Sequence, residues 1–274
     1  MKLPNDVLVK GFGHGARRRA RPCCCLGTDM GTDFKEIIME EIEGNEKKAV
    51  VDKADMVFQS LRKAAGRLNI DISQEKLDMA LAYLEELMRW NRAFNLVGRR
   101  LDLEGILTLF IDSLTPLAVR GISWEDAEVL DIGSGAGMPG IPLYIFGGPF
   151  SLTMLESQRK KITFIRHICQ RLGLAGAGVY PGRLEEMRRE EDFISGFDIG
   201  LARAVMNPEK LVRMASPLVS EGGKLILFLG KGDAETLRRN SLDWERRGWK
   251  LEGIKSTRRF VGRENYLAIL RKAS

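Results

Sequence analysis

Histidine is nearly missing from this 274-residue chain, which has only His14 and His167, and its four cysteines are the run Cys23, Cys24, Cys25 and the lone Cys169. With no C-x-x-C pair and two histidines in unlike surroundings, the ligands of a Cys/His metal site are absent, as is a disulfide framework. A Ser-His-Asp hydrolase is disfavoured for the same reason, since His14 sits in a Gly/Arg-rich stretch and His167 in a helical pattern. No apolar stretch reaches the roughly 18 residues of a membrane helix; the longest are the short runs Ile141–Phe146 and Leu225–Leu229. That excludes an integral helical membrane protein; a cytoplasmic location is expected.

Charge of one sign is also scarce once it is located. The formal net charge is +6, but residues 1–30 supply +4 of it, through Lys2, Lys10, Arg17, Arg18, Arg19 and Arg21 against Asp6 and Asp29. The other 244 residues carry +2, so affinity for a polyanion has to reside in clusters such as Arg99-Arg100, Arg188-Arg189, Arg238-Arg239, Arg246-Arg247 and Arg258-Arg259. For each pair a solvated helix face is an equally good reading.

What remains is 44% apolar and 29% charged, which suits one α/β domain with an appendage. Residues 1–50 lack apolar periodicity and are expected to be a disordered extension, with Met30, Met39 or Met56 as alternative starts. Residues 51–122 read as a helical N-terminal subdomain. Its first helix covers Asp55–Leu68, a second is capped by Ser73, and a third spans about Leu103–Val119. Residues 123–274 alternate strand, glycine turn and helix, the pattern of a parallel sheet. Seven strands are expected, at Ala127–Ile132, Ser151–Leu155, Gly178–Tyr180, Asp198–Ala202, Lys224–Leu229, Trp249–Ser256 and Tyr266–Leu270, the last two as an antiparallel hairpin at the sheet's edge.

The sharpest motif is the apolar strand that runs through Asp131 into Gly133-Ser134-Gly135-Ala136-Gly137-Met138-Pro139-Gly140. Glycines at the carboxyl end of a first strand let a ligand approach the backbone. A dinucleotide fingerprint G-x-G-x-x-G would need glycine where Met138 stands. The form D-x-G-x-G-x-G suits the amino-acid part of S-adenosylmethionine, which has no phosphate to cradle. Glu156 ends the second strand 23 residues after Gly133, where an acid accepts ribose hydroxyls. NAD enzymes place the same acid, so Glu156 indicates an adenosyl cofactor without choosing one. Arg203 ends the fourth strand, placed to hold a phosphate or base edge, or to pair with Glu156 or Glu185. Cys169 reads as core among Phe164, Ile165 and Ile168.

Asp131–Pro142, Leu155–Ile165, Gly182–Met187 and Phe197–Ala204, with Trp90-Asn91, Asn95-Leu96 and Asp112-Ser113-Leu114 upstream, resemble in order and spacing the RsmG/GidB family over about residues 70–272. The resemblance implies a Rossmann-like, class I S-adenosylmethionine-dependent methyltransferase with a seven-stranded, mostly parallel sheet and one antiparallel edge strand. It implies methylation of guanine-527 at N7 in the 530 loop of 16S rRNA, by a monomer acting on the small ribosomal subunit. Cofactor contacts are then expected from Gly133, Met138, Leu184, Glu185 and Arg203, beside Asp131, Gly135 and Glu156, and RNA contacts from Arg183, Lys231 and Arg263; no metal and no catalytic side chain are implied. Guanine N7 offers an in-plane lone pair in the unmodified base, so it attacks a sulfonium methyl without a general base. The family's usual His-x-x-Asp-Ser is Leu109-Phe110-Ile111-Asp112-Ser113 here, and its late Glu-Arg-His is Glu264-Asn265-Tyr266. Other readings left by the residues are a methyltransferase of this fold with another RNA or a small-molecule substrate, or a non-catalytic ribosome-assembly factor.

Overall fold

The computed structural model describes residues 45–98 and 101–273. Residues 1–44, with the cysteine run and most of the expected extension, and the pair Arg99-Arg100 lie outside the described residues.

Helix α1 spans Asn45–Leu68. It begins before the expected Asp55 and takes in residues 45–50, the last part of the expected extension. The added turns contain Glu, Lys and Ala, good helix formers that need no buried face and therefore leave no apolar period to read. Helix α2, Gln74–Phe94, starts at Ser73, whose side chain accepts the Lys76 N–H at 3.3 Å. It stops at Asn95 in the left-handed region, φ 54°. Buried Asn91 closes the turn beyond it, accepting from Val97 N–H at 3.0 Å and donating to the Gly98 carbonyl at 2.9 Å. Helix α3 covers only Leu103–Ser113 and gives way to a 3₁₀ turn, Thr115–Ala118. The expected continuation to Val119 fails at Pro116, which has no N–H to donate and disfavours helical geometry at Thr115.

All seven expected strands form: β1 Glu128–Ile132, β2 Ser151–Glu156, β3 Ala177–Pro181, β4 Phe197–Arg203, β5 Val219–Leu229, β6 Trp249–Ser256 and β7 Tyr266–Lys272. Their order is β3-β2-β1-β4-β5-β7-β6. Every pair is parallel except β5–β7 and β6–β7. The β6–β7 hairpin lies at the sheet's edge with β6 outermost, so β7, the strand of opposite direction, slots between β5 and β6. The order reverses between β1 and β4, where a doubly wound sheet opens its crevice. The connecting helices are α4 (Gly140–Gly147), α5 (Arg159–Arg171), α6 (Leu184–Met187), α7 (Pro208–Ala215), α8 (Lys231–Arg239), α9 (Ser241–Arg246) and α10 (Arg258–Val261).

Successive strand residues bury on opposite faces. Val129, Leu152, Ile199 and Ile226 join one cluster, while Leu130, Leu155, Leu225 and Leu227 join the other with α7, α8, Trp244 and Trp249. The first cluster also takes in Phe58, Leu61, Leu77, Leu84, Leu87, Ile106 and Phe110 from α1, α2 and α3. The N-terminal helices thus share one core with a face of the sheet. Truncating a fully buried member such as Leu84 or Phe110 to alanine costs about 2–5 kcal/mol in cores of this kind. Among the described residues no helix is long and apolar enough to cross a membrane.

Candidate functional site

At the end of β1 the chain turns through Gly133, Gly135 and Gly137, with φ of 67°, 62° and 82°. A Cβ at Gly137 would stand 2.3 Å from Ile141 Cδ1 and one at Gly133 2.8 Å from Val205 Cγ2, so packing as well as backbone conformation requires glycine at both. Gly135 differs, because a Cβ there meets only the Gly133 carbonyl oxygen, at 4.0 Å. Its outer side is open, as a ligand cradle needs.

Two carboxylates shape the loop. Asp131, fully buried, accepts the Gly140 N–H at 2.9 Å and so fixes the start of α4. Burial pushes its pKa from 3.8 to about 6, against the pull of Ser134, the Gly140 N–H and Arg203. Its Oδ1 has no partner. Glu156 accepts the Gly135 N–H at 2.9 Å on one oxygen and the Ser157 and Gln158 N–H groups, both at 2.8 Å, on the other. Three of its roughly four acceptor directions are filled. It can accept both hydroxyls of a ribose only by releasing one of these N–H groups, a constraint that its position in the sequence does not reveal. The Gly133 and Ser134 N–H groups both reach the Leu155 carbonyl, at 2.9 and 3.1 Å, binding the loop to β2.

Helix α2 holds the loop from outside. The buried Tyr83 hydroxyl donates to the Ala136 carbonyl at 2.8 Å. Burial, and then the Asp131 charge, raise the Tyr83 pKa well above its usual value, with Arg203 opposing. In the sequence Tyr83 looks like one more residue of an amphipathic face, and no motif marks it.

Arg203 ends β4 at the same edge, and its partners lie neither on β2 nor after β3. Its guanidinium turns back onto α3, donating to the Leu109 carbonyl at 3.2 Å and Ser113 Oγ at 3.1 Å and lying 3.3 Å from Asp112 Oδ2. The alternative pairing with Glu156 or Glu185 does not form. Phe228 stacks under it at 4.3 Å, and the Arg203 side chain is 17% exposed. Burial lowers the Arg203 pKa, and the charges of Asp112, Asp131 and Tyr83 work against that. Asn265 Nδ2 also donates to Asp112 Oδ2, at 3.4 Å, while Asp112 Oδ1 and Arg203 Nε have no partner. The Leu109 backbone carbonyl and the Asn265 side chain therefore meet on one ion pair. Asp112 and Asn265 belong to motifs far apart in the chain that suggest no role for either; only the fold brings them together.

The other expected residues spread along the edge. After β3, the Gly182 N–H donates to the Glu156 carbonyl at 3.0 Å, which sets buried Leu184 and exposed Glu185 beside β2, with Arg183 exposed before them. Met138 is buried within the loop. Lys231 follows β5 and Arg263 precedes β7, and both are exposed. From β3 to β7 is five strand spacings, roughly 24 Å, so Arg183 and the Lys231/Arg263 side flank the loop instead of meeting at it. Neither histidine nor cysteine stands at this edge among the described residues. His167 Nε2 lies 2.9 Å from Glu86 on the flank, and burial pushes the Cys169 thiol up to about 12. No group of acidic, His and Cys side chains that could hold a metal occurs among the described residues.

A profile of the family described as rRNA small subunit methyltransferase G matches residues 76–261. Proteins named Ribosomal RNA small subunit methyltransferase G are similar to it. That of Streptococcus thermophilus is 36% identical over 182 residues, covering 66% of this chain and 77% of the relative. That of Dictyoglomus thermophilum is 34% identical over 186 residues, 68% and 74%. Among solved structures, fibrillarin of Aeropyrum pernix with natively bound S-adenosyl-L-methionine aligns over 58% of this chain and 73% of its own, at TM-score 0.47 and 12% identity. At that distance it adds nothing to the topology described above.

Proposed function

Because the chain belongs to the rRNA small subunit methyltransferase G family, we propose that it transfers a methyl group from S-adenosylmethionine to N7 of guanine-527 in the 530 loop of 16S rRNA. Membership carries the coarse activity, methylation of small-subunit rRNA. The base and the atom are the finer reading.

One observation supports the atom: the open edge of the sheet carries a cradle and no histidine or cysteine among the described residues. Methylation at pyrimidine C5 needs a thiolate nucleophile, and Cys169 holds its proton on a helix at the flank. N7 needs neither nucleophile nor base, only alignment and exclusion of water.

S-adenosylmethionine, when bound, supplies an electrophilic methyl on its sulfonium. The residues fit such a group: Gly135 leaves space where a side chain would intrude, Glu156 offers a carboxylate to the ribose, and Leu184 gives an apolar surface beside it with Glu185 next in line. Gly133, Met138 and Asp131 fix the loop's shape. Arg203, drawn back onto α3, holds α3 and the end of β4 together. Arg183, Lys231 and Arg263 serve the RNA phosphates at either side. Neutralising any one of them should flatten the salt dependence of RNA binding by roughly 0.7–0.9 in log–log slope.

The test is to map N7-methylguanosine in 16S rRNA by chemical cleavage and primer extension, in the parent strain, in a strain lacking this gene and in the complemented strain. The mark is expected at guanine-527 in the first and third and absent in the second. Persistence of the mark in the second, or a mark at another position from the purified protein, overturns the reading.

A further inference from the structure

Phe94 is an aromatic side chain with no core to belong to. It is the last residue of α2, 42% exposed, and the only aromatic among the exposed large apolar side chains of the described residues. Where it stands follows from the pairing of α2 with α5. Glu86 meets His167 at 2.9 Å and Arg171 at 3.5 Å, and Trp90 meets Phe164 at 5.5 Å. Phe94 meets Lys160, whose Nζ lies 5.5 Å from its ring centroid. As α2 advances α5 runs back, so the helices are antiparallel, and Phe94 arrives at the start of α5, just past Glu156 on the carboxyl edge of β2. The other end of α2 agrees, since Lys76 Nζ donates to the Phe146 carbonyl at 3.2 Å, at the far end of α4. From Tyr83, which touches the glycine loop, to Phe94 is three turns, roughly 16 Å along the axis. The ring overhangs the cofactor side of the molecule.

The two stretches that flank it carry cations and no carboxylate. Neither residues 87–98 nor residues 157–171 contain an Asp or Glu. Arg92, Arg159, Lys160 and Arg166 within them are exposed. The Trp90 ring, 5.4 Å from Phe94, backs it from inside, so the ring rests on a second aromatic instead of swinging free. A second copy of this chain would bring two such cationic faces together and is repelled. An unpaired stretch of nucleic acid offers both things the patch takes, a base face for the ring and phosphates for the cations.

We propose that Phe94 stacks an unpaired nucleotide of the rRNA beside the methylated guanine, with Lys160 and Arg159 on the adjoining phosphates. The ring is a substrate-positioning platform at the mouth of the site. This rests on the RNA-methylating activity set out above, and the experiment separates the two.

Phe94→Ala, Phe94→Trp and Lys160→Gln are compared with wild type for steady-state methylation of small subunits from the deletion strain, for S-adenosylhomocysteine affinity by calorimetry, and for melting temperature. Phe94→Ala is expected to raise KM for the subunit roughly tenfold or more, the loss falling on KM and not on kcat, with cofactor affinity and melting temperature as in wild type. Phe94→Trp is expected to restore KM, and Lys160→Gln to raise it less while flattening its salt dependence. A folded, cofactor-binding Phe94→Ala protein with wild-type KM overturns the proposal. So does a wild-type dimer that Phe94→Ala dissolves, which would assign the face to a second copy. If wild type itself leaves the subunit unmethylated, the activity falls and the platform with it; wild-type methylation indifferent to Phe94 removes the platform alone.

Discussion

Glu156 and Asp112 are both buried carboxylates at the same edge of the sheet, yet the first is held by the backbone and the second by side chains. Three N–H groups of adjoining turns converge on Glu156. Asp112 depends on Arg203 from β4 and Asn265 from beside β7, and even so its Oδ1 and the Arg203 Nε stay bare. Backbone donors come with the turn itself and outlast most substitutions nearby. A buried side-chain pair exists only while distant elements are packed, and losing one partner strands the other's charge in a low-dielectric place.

The largest expected effect follows on the Asp112 side. Asp112→Ala should cost about 3–5 kcal/mol in urea unfolding, because it leaves Arg203 uncompensated. Replacing the pair together, as Asp112→Leu with Arg203→Met, should cost less than Asp112→Ala alone. Glu156→Gln keeps an acceptor for the loop and should cost only about 1 kcal/mol, while S-adenosylhomocysteine affinity falls in calorimetry. Equal stability losses at Asp112 and Glu156 would break the comparison.

Titration sharpens it. Folding raises the Asp131 pKa from 3.8 to about 6, so the folded state holds that proton more tightly. The contribution to stability is full below pH 3.8, fades as pH rises towards 6 and is lost above it. The span is about 3 kcal/mol, at roughly 1.4 kcal/mol per pH unit. Asp131→Asn should remove this decline when unfolding free energies are measured between pH 4 and 7. Glu86 has the opposite slope. Burial alone would raise its pKa, but hydrogen bonds from His167 and Arg89 and the charge of Arg171 bring it below 4.5. Its contribution is present above pH 4.5 and lost as pH falls, and Glu86→Gln should flatten stability at that acid end only.

Within the loop, Gly137→Ala should cost about 2–3 kcal/mol, since the new methyl meets Ile141 at an already left-handed residue. Gly135→Ala should cost about 1 kcal/mol from backbone strain alone and show its effect in cofactor affinity instead. A Gly135 variant that binds cofactor normally would mean that the open side of the loop is not the cradle. Smallest of all, Cys169→Ala should shift stability by less than about 1 kcal/mol and leave methylation unchanged.

The strands are legible in the sequence because each is a short apolar run bounded by glycine or charge, and the glycine loop with Glu156 because spacing alone brings two strand ends together. What stays hidden depends on other elements. The extra turns of α1 carry no apolar periodicity in the sequence. The position of β7 is a choice among sheet neighbours, which no local pattern encodes. Tyr83, Asp112 and Asn265 act on residues 53, 91 and 153 positions away, so their roles emerge only when the chain is folded. The break in α3 is the exception, for Pro116 is in plain view and the apolar spacing that continues past it masks the stop.

The Tyr83 hydroxyl on the Ala136 carbonyl makes the cofactor loop and the helical layer parts of one equilibrium. Any ligand that tightens the loop lowers the free energy of the state in which α2 is docked, and by the same amount a docked α2 favours the ligand. Occupancy at Gly135 should thus be visible at a distance, as slower amide hydrogen exchange along α2, and a Tyr83→Phe protein should bind its cofactor without passing that protection on.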